Sequence, residues 1–139
     1  MKRVLIVDDE PDFRAMLKKR LGAGRFEVIE ASNGASGLEI ARREKPDLIL
    51  LDVMMPEKDG ILTYVELRKD AATKGIPVIF LTALSPDNSM TNEGLDMMAF
   101  SKHGVELDGK YGVLGKPYDP QQLIQMVRTQ LGIEGQEGA

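Results

Sequence analysis

The sequence has no cysteine and no tryptophan, and its single histidine is His103. Without cysteine the chain has no disulfides, no thiolate metal ligands and no cysteine nucleophile, which is compatible with a reducing cytoplasm. No second histidine accompanies His103 to form a metal site, so we interpret His103 as a polar loop residue. These absences exclude thiol chemistry and weigh against imidazole chemistry.

Long apolar runs are also missing from the sequence. None approaches the roughly 20 residues that a transmembrane helix needs. The run behind the basic start Met1-Lys2-Arg3 covers only residues 4–7, which is too short for a signal peptide. The net charge of −4 weighs against a broad surface for nucleic acid or anionic membranes. We therefore expect a cytoplasmic protein that contacts neither a membrane nor nucleic acid.

The length and the apolar content suit one folded domain. The chain has 139 residues, of which 42% are hydrophobic and 29% are charged. That size provides one core, and that balance excludes wholesale disorder. We predict a domain over residues 1–132, followed by a polar tail at residues 133–139.

Five segments resemble strands, and three of them are apolar throughout: residues 4–7, 48–51 and 78–81. Uninterrupted apolar runs are typical of strands covered on both faces in a parallel sheet. Residues 26–30 contain charge and residues 113–114 are short, as edge strands often are. The pattern predicts an α/β fold, a doubly wound five-stranded parallel sheet in the flavodoxin-like order 2-1-3-4-5, with helices on both faces.

Helical spacing of apolar residues fills the intervals between the strands. Each predicted helix presents one apolar stripe to the sheet. The stripes are Phe13, Met16, Leu17 and Leu21; Ala35, Leu38 and Ala41; Ile61, Leu62 and Val65; and Leu123, Val127 and Leu131 in a last helix from about Pro120 to Leu131, capped by Asp119.

Polar residues follow four of the strands. Asp8 and Asp9 follow the first strand, Asp52 ends the third, and Thr82 and Lys116 follow the fourth and fifth. In a parallel sheet these points lie at one edge, where ligands bind. Three carboxylates gathered there need a positive partner, because like charges oppose each other's ionisation. Mg²⁺ is the expected partner, since it binds one or two carboxylates together with phosphate oxygens and water.

A metal beside a central-strand aspartate indicates phosphoryl transfer. Asp52 is the candidate nucleophile, which would become an aspartyl phosphate. Mg²⁺ would neutralise the charge that develops on the phosphoryl oxygens. Lys116 supplies a compact positive charge, and the hydroxyl of Thr82 can donate a hydrogen bond to the same group.

Four motifs resemble the receiver domain of two-component response regulators, of the stand-alone, chemotaxis-regulator-like type: "VDDE", "LDVMMPEKDG", "LTA" and "GKP". The resemblance covers residues 2 to about 131. It implies that Asp52 is the phosphoacceptor and that Thr82 and Lys116 assist. It also implies that Asp8, Asp9, Asp52 and the backbone carbonyl of Met54 bind Mg²⁺.

The resemblance also implies how the protein works. A histidine kinase or phosphotransfer protein would supply the phosphoryl group. The chain would carry out only Mg²⁺-dependent self-phosphorylation and autodephosphorylation and would not be an enzyme otherwise. The switched surface would be formed by a fourth helix that the resemblance places between the fourth and fifth strands, by the fifth strand, and by the last helix, which is then the fifth. That surface would dock a downstream protein or a second copy of the chain.

Two features depart from the family pattern. The family often has an aromatic residue three positions before the lysine, where this chain has Val113; the nearest aromatic residue is Tyr111. The segment between Thr82 and Lys116 is also longer than usual by roughly ten residues, and such long loops are usually functional. We predict an extra element at about residues 96–110, with a hairpin turn at Asp108-Gly109.

Other interpretations stay open at this point. A magnesium phosphatase of the haloacid dehalogenase type would also use an aspartate nucleophile, but that family has a second aspartate where this chain has Met54. A flavin-binding domain is opposed by the acidic "DDEPD" loop, which repels phosphate. A phosphorylation-independent docking module is a third alternative. Finally, Asp8 and Asp9 could form an exposed turn that caps the first helix.

Overall fold

The computed structural model describes residues 1–52, 60–83, 111–116 and 120–132. The strands are β1 (Arg3–Val7), β2 (Glu27–Ala31), β3 (Leu48–Asp52), β4 (Val78–Ala83) and β5 (Tyr111–Lys116). The helices are α1 (Pro11–Ala23), α2 (Gly34–Glu44), α3 (Gly60–Lys69) and the C-terminal helix (Pro120–Leu131).

All five strands form one parallel sheet in the order β2-β1-β3-β4-β5. This order confirms the fold class and the placement of both edge strands. Residues 4–7 of β1, residues 48–51 of β3 and residues 78–81 of β4 are almost fully buried, as their uninterrupted apolar sequences predict. In β2 the residues from Glu27 to Glu30 are exposed or half-buried, because one side of this strand lies at the edge of the sheet.

Side chains on the two faces of the sheet form separate hydrophobic clusters. One cluster packs α2 and α3 against alternate residues of the sheet, including Val7, Leu51 and Phe80. The other packs α1 and the C-terminal helix against the remaining residues, including Ile6 and Leu81. This division is the layered arrangement that right-handed crossovers produce. Among the described residues, no helix has both the length and the hydropathy to cross a membrane.

Three residues predicted to face the core do not. Met16 and Leu62 are 43% and 37% exposed, and Ala35 is also exposed. In α2 the buried stripe includes Gly34 and Gly37, because glycine lets the helix backbone approach the sheet closely. The stripe is therefore rotated away from Ala35. In α1 the predicted residues Leu17 and Leu21 are buried and Phe13 packs beside them, and in α3 Val65 is buried, so among the predicted residues of these two helices whose burial is described only Met16 and Leu62 depart from the prediction.

The remaining helix predictions are largely confirmed. Leu123 and Val127 are fully buried and Leu131 is half-buried, within a helix that has the predicted bounds. The proposed cap Asp119, the extra element at 96–110, its turn at Asp108-Gly109 and the tail at 133–139 lie outside the described residues. Those four points stay predictions.

Candidate functional site

Two of the predicted site carboxylates lie at the same edge of the sheet. Val7 of β1 is in register with Leu51 of β3, so Asp8 and Asp52, the next residue in each case, reach the same level on adjacent strands. Asp8 is fully buried and Asp52 is 4% exposed. Buried carboxylates carry a large desolvation cost unless hydrogen bonds or a cation compensate for it. The pair therefore forms the centre of the candidate site.

The backbones of Thr82 and Lys116 extend the same edge. Asp52 is in register with Leu81, and the next two pairs in the ladder are Thr82 with Gly115 and Ala83 with Lys116. Thr82 is therefore one position beyond the level of Asp52 along the strand direction. The sequence predicts both residues just after their strands, and this detail was wrong. The pairing between β4 and β5 continues through Ala83 and Lys116, so both residues belong to strands.

The backbone after β1 turns sharply into α1. The Asp8 amide donates to the Ala31 carbonyl at 3.1 Å, which continues the pairing with β2 by one residue. The Glu10 amide then donates to Oδ1 of Asp8 at 2.9 Å, which closes a turn around Asp9. Glu10 is the N-cap of α1 with Pro11 next to it, and the Glu10 side chain makes no capping bond. Asp8 is thus neither exposed nor the helix cap, so the capping interpretation of Asp8 was wrong.

Three carboxylates gather at this turn. One oxygen each of Asp8, Asp9 and Glu10 lie within 4.8 Å of one another, with Asp8 buried, Asp9 half-buried and Glu10 exposed. Carboxylate oxygens are the ligands that hard divalent cations prefer. Asp52 lies at the same edge but is not part of this set. Glu10 has no predicted role, and its position next to two aspartates in the "VDDE" motif is the sequence signal that could have identified it.

An arginine that the sequence analysis did not select also reaches this turn. Nη1 of Arg14 donates to the backbone carbonyl of Asp8 at 2.6 Å, and Nε of Arg14 donates to Oε1 of Glu30 at 3.3 Å. Nζ of Lys18, one turn further along α1, lies 3.7 Å from Oε2 of Glu30. In the sequence Arg14 resembles any solvated charge on a helix, because its partners are identified only by the folded backbone.

Several predictions fall on residues or side chains that the structure does not describe, among them the side chains of Thr82, Lys116 and Tyr111. Met54 and its carbonyl lie outside the described residues, as does His103. The described backbone does locate Tyr111, which pairs with Val78 at the beginning of β5. Lys116 lies five positions after Tyr111 in β5, which is about 16 Å along a strand at about 3.3 Å per residue. The backbone of Tyr111 thus lies at the opposite end of β5 from the site.

The chain is similar to known signalling proteins over nearly its whole length. Residues 4–128 match the family described as response regulator receiver domain. Protein PilH of Pseudomonas aeruginosa is 34% identical over 131 residues, covering 94% of this chain and 98% of PilH. The probable transcriptional regulator ycf27 of Porphyra purpurea is 39% identical over 130 residues, covering 94% of this chain and 47% of ycf27. The chain thus spans about half the length of the regulators of that type.

A solved structure agrees with the fold. The receiver domain of sensor histidine kinase PA1611 from Pseudomonas aeruginosa, which has a magnesium ion coordinated in its active-site cleft, superposes with a TM-score of 0.76. The match covers 94% of this chain and 98% of that domain at 23% identity, which supports the fold alone. None of these similarities supports the haloacid dehalogenase alternative. The chain belongs to the response regulator receiver domain family and is a phospho-accepting signalling module.

Proposed function

We propose that Asp52 accepts the phosphoryl group, with the help of Thr82, Lys116 and a magnesium ion. Asp8, Asp9, Asp52 and the Met54 carbonyl are the proposed metal ligands. Receiver domains interact with histidine kinases or phosphotransfer proteins, and such a protein is the proposed donor here. The response would be a change in the surface that this chain presents to a partner.

One observation carries this proposal: Asp8 and Asp52 are both buried at the same level of adjacent central strands. Burying two carboxylates side by side carries a desolvation and repulsion cost, and a bound cation would offset part of it. Asp52 is the last residue of β3, so the strand fixes its backbone at the edge of the sheet where ligands bind in parallel α/β folds. A nucleophile needs that combination of a fixed position and access to its substrate.

The donor set suits magnesium. Every side-chain ligand proposed is a carboxylate, and together with the Met54 carbonyl they give an all-oxygen site that leaves positions for phosphate oxygens and water. When bound, Mg²⁺ would neutralise charge on the phosphoryl oxygens. The three carboxylates within 4.8 Å at the turn after β1 support this assignment. The PA1611 receiver domain, which has the same fold, contains magnesium in its cleft.

The proposed reaction transfers one phosphoryl group. A carboxylate oxygen of Asp52 attacks phosphorus, an O–P bond forms, and the P–N bond to the donor histidine breaks. The electron pair of the broken bond remains on the imidazole nitrogen, which takes up a proton. Lys116 would hold a phosphoryl oxygen through its ammonium group, and Thr82 would donate to another. Self-phosphorylation from a small-molecule donor and later hydrolysis of the acyl phosphate would use the same contacts.

The proposed output is protein docking in the cytoplasm, with no direct contact to nucleic acid or membrane. Phosphorylation adds roughly −1.5 to −2 charge and strong acceptor oxygens to the edge of the sheet. The strands β4 and β5 end beside that charge, and β5 leads towards the C-terminal helix. We propose that β5, the C-terminal helix and a fourth helix predicted between β4 and β5 form the switched surface.

Intact-mass measurement tests the site directly. The protein is incubated with acetyl phosphate, with Mg²⁺ or with excess EDTA, as wild type, as Asp52→Ala and as Glu39→Gln. Glu39 is an exposed carboxylate in α2, so its variant controls for nonspecific acylphosphate formation. We expect one phosphoryl adduct in the wild type and in Glu39→Gln with Mg²⁺, and none in Asp52→Ala. An adduct that persists in Asp52→Ala would move the acceptor elsewhere, and no adduct in the wild type would refute the reaction.

A further inference from the structure

Arg14 connects three parts of the chain at the acidic turn. Its backbone amide donates to the Glu10 carbonyl at 3.0 Å as part of the first turn of α1. Its guanidinium donates to the Asp8 carbonyl at 2.6 Å and to the Glu30 carboxylate of β2 at 3.3 Å. The Arg14 side chain is 17% exposed, so these contacts are partly shielded from water. Arg14 therefore holds the turn from its helix side and from the neighbouring strand.

The geometry of these contacts depends on a guanidinium. Two nitrogens of one planar group point to different acceptors, a backbone carbonyl and a carboxylate, so the position of each acceptor is fixed relative to the other. The carbonyl belongs to Asp8, whose Oδ1 also accepts the Glu10 amide at 2.9 Å. The hydrogen bonds to the Asp8 carbonyl and to its Oδ1 together restrict rotation of the backbone at Asp8. The same restriction applies to the direction in which the Asp8 carboxylate points.

A positive side chain beside a cation site has an electrostatic cost. A guanidinium that contacts the acidic turn would, if its charge were not balanced, repel a divalent ion bound there and weaken its binding. Glu30 offsets the charge of Arg14 locally, and Lys18 shares the same carboxylate at 3.7 Å. Removing the charge of Arg14 alone would therefore be expected to strengthen Mg²⁺ binding. Removing the tether would weaken it, so the two effects have opposite signs and can be separated by experiment.

We infer that Arg14 is a positioning residue for the metal site: it holds the Asp8–Glu10 turn in the conformation that gathers the three carboxylates, and Glu30 cancels its charge. The inference rests on the proposed function, because it assumes that this turn binds Mg²⁺. Arg14 itself contacts neither the metal nor the phosphoryl group in this account. Substitution of groups that orient metal ligands typically weakens metal affinity by roughly 10–100-fold.

The test is calorimetric titration of the whole chain with MgCl₂, comparing wild type, Arg14→Met and Lys18→Met. Both substitutions remove one positive charge from α1 and one partner of Glu30, but Lys18 has no described bond to the Asp8 carbonyl. We expect Arg14→Met to bind Mg²⁺ roughly tenfold more weakly, and Lys18→Met to bind it as the wild type does or more tightly. The rate of phosphorylation by acetyl phosphate at saturating Mg²⁺ should stay unchanged in Lys18→Met.

The outcomes separate this inference from the proposed function. If the wild type binds no Mg²⁺, the metal assignment fails and the inference fails with it. If the wild type binds Mg²⁺ and Arg14→Met binds it equally or more tightly, only the positioning role is overturned. If Arg14→Met does not fold, Arg14→Gln makes the same charge change with a polar side chain and carries the same expectation. If neither variant folds, Arg14 supports the whole domain instead of the turn, and the inference is wrong.

Discussion

The contact between Gly37 of α2 and Val7 of β1 gives a sharp test of how closely the helix packs on the sheet. A Cβ atom added at Gly37 would lie 2.8 Å from Cγ2 and 3.0 Å from Cγ1 of Val7. Val7 is 1% exposed, and a β-branched side chain in a strand has little rotamer freedom. Because both of its methyl groups are close to the added atom, rotation about χ1 does not relieve the overlap. The helix or the strand must shift instead.

The magnitude follows from two opposing effects. Overpacking a filled core costs about 1–3 kcal/mol. Replacing glycine by alanine inside a helix stabilises it by roughly 1 kcal/mol. The control is Gly22→Ala in α1, where no atom lies within 4 Å of the added Cβ. Both variants gain the helix stability that alanine has over glycine, so the difference in stability between them measures the cost of overpacking. We expect Gly37→Ala to be less stable than Gly22→Ala by about 1–3 kcal/mol.

Urea denaturation of the wild type and both variants, followed by far-ultraviolet circular dichroism, measures this difference as a change in midpoint at constant slope. Gly22→Ala should be as stable as the wild type or more stable. If Gly37→Ala proves as stable as Gly22→Ala, then α2 does not press on Val7 as described. The close approach of α2 to the strand that precedes Asp8 would then have to be abandoned.

Two further predictions concern polar contacts outside the site. Thr73 is fully buried and its Oγ1 donates to the Leu67 carbonyl at 2.7 Å near the end of α3. Thr73→Val should therefore lower the free energy of unfolding by about 1–3 kcal/mol. Thr129 is exposed, so Thr129→Val serves as the control, and an equal loss of stability in both variants would argue against the hydrogen bond. A hydrogen bond from Arg3 lowers the pKa of Glu44 from its usual 4.5 in the folded protein. The contribution of ionised Glu44 to the free energy of unfolding is therefore present above pH 4.5 and is lost as the pH falls through the lower pKa of the folded state. The difference in stability between wild type and Glu44→Gln should therefore close below pH 4.5 in urea titrations, and a difference independent of pH would contradict this.

The segments that form the sheet were predictable because a strand buried on both faces has a continuous apolar sequence. A strand covered by helices on each side must be apolar at every position, as residues 48–51 are, whereas an edge strand such as β2 tolerates Glu27 and Glu30. The order of the five strands followed from that contrast together with the handedness of the crossovers. The same reasoning gave the common edge of Asp8 and Asp52, since both residues directly follow apolar strand residues.

Helix orientation was less predictable because burial depends on the neighbour as well as on the side chain. Leu62 is apolar but 37% exposed, while Thr63 beside it is 1% exposed. Thr63 is buried because of where α3 crosses the sheet, and hydrophobicity alone ranks the two residues in the opposite order. The position at which a strand ends also depends on the neighbouring strand. Thr82 belongs to β4 because it pairs with Gly115 of β5.

The sequence by itself determined the type of sheet, the two central carboxylates at its edge and the resemblance to receiver domains, because those features depend on composition and spacing along the chain. Only the tertiary structure decided which side chains hold the acidic turn. Arg14 and Glu30 are 16 residues apart, and their contact exists because β1 and β2 pair and α1 crosses beside them. Contacts of that kind depend on the relative placement of whole elements, which no local pattern of residues encodes.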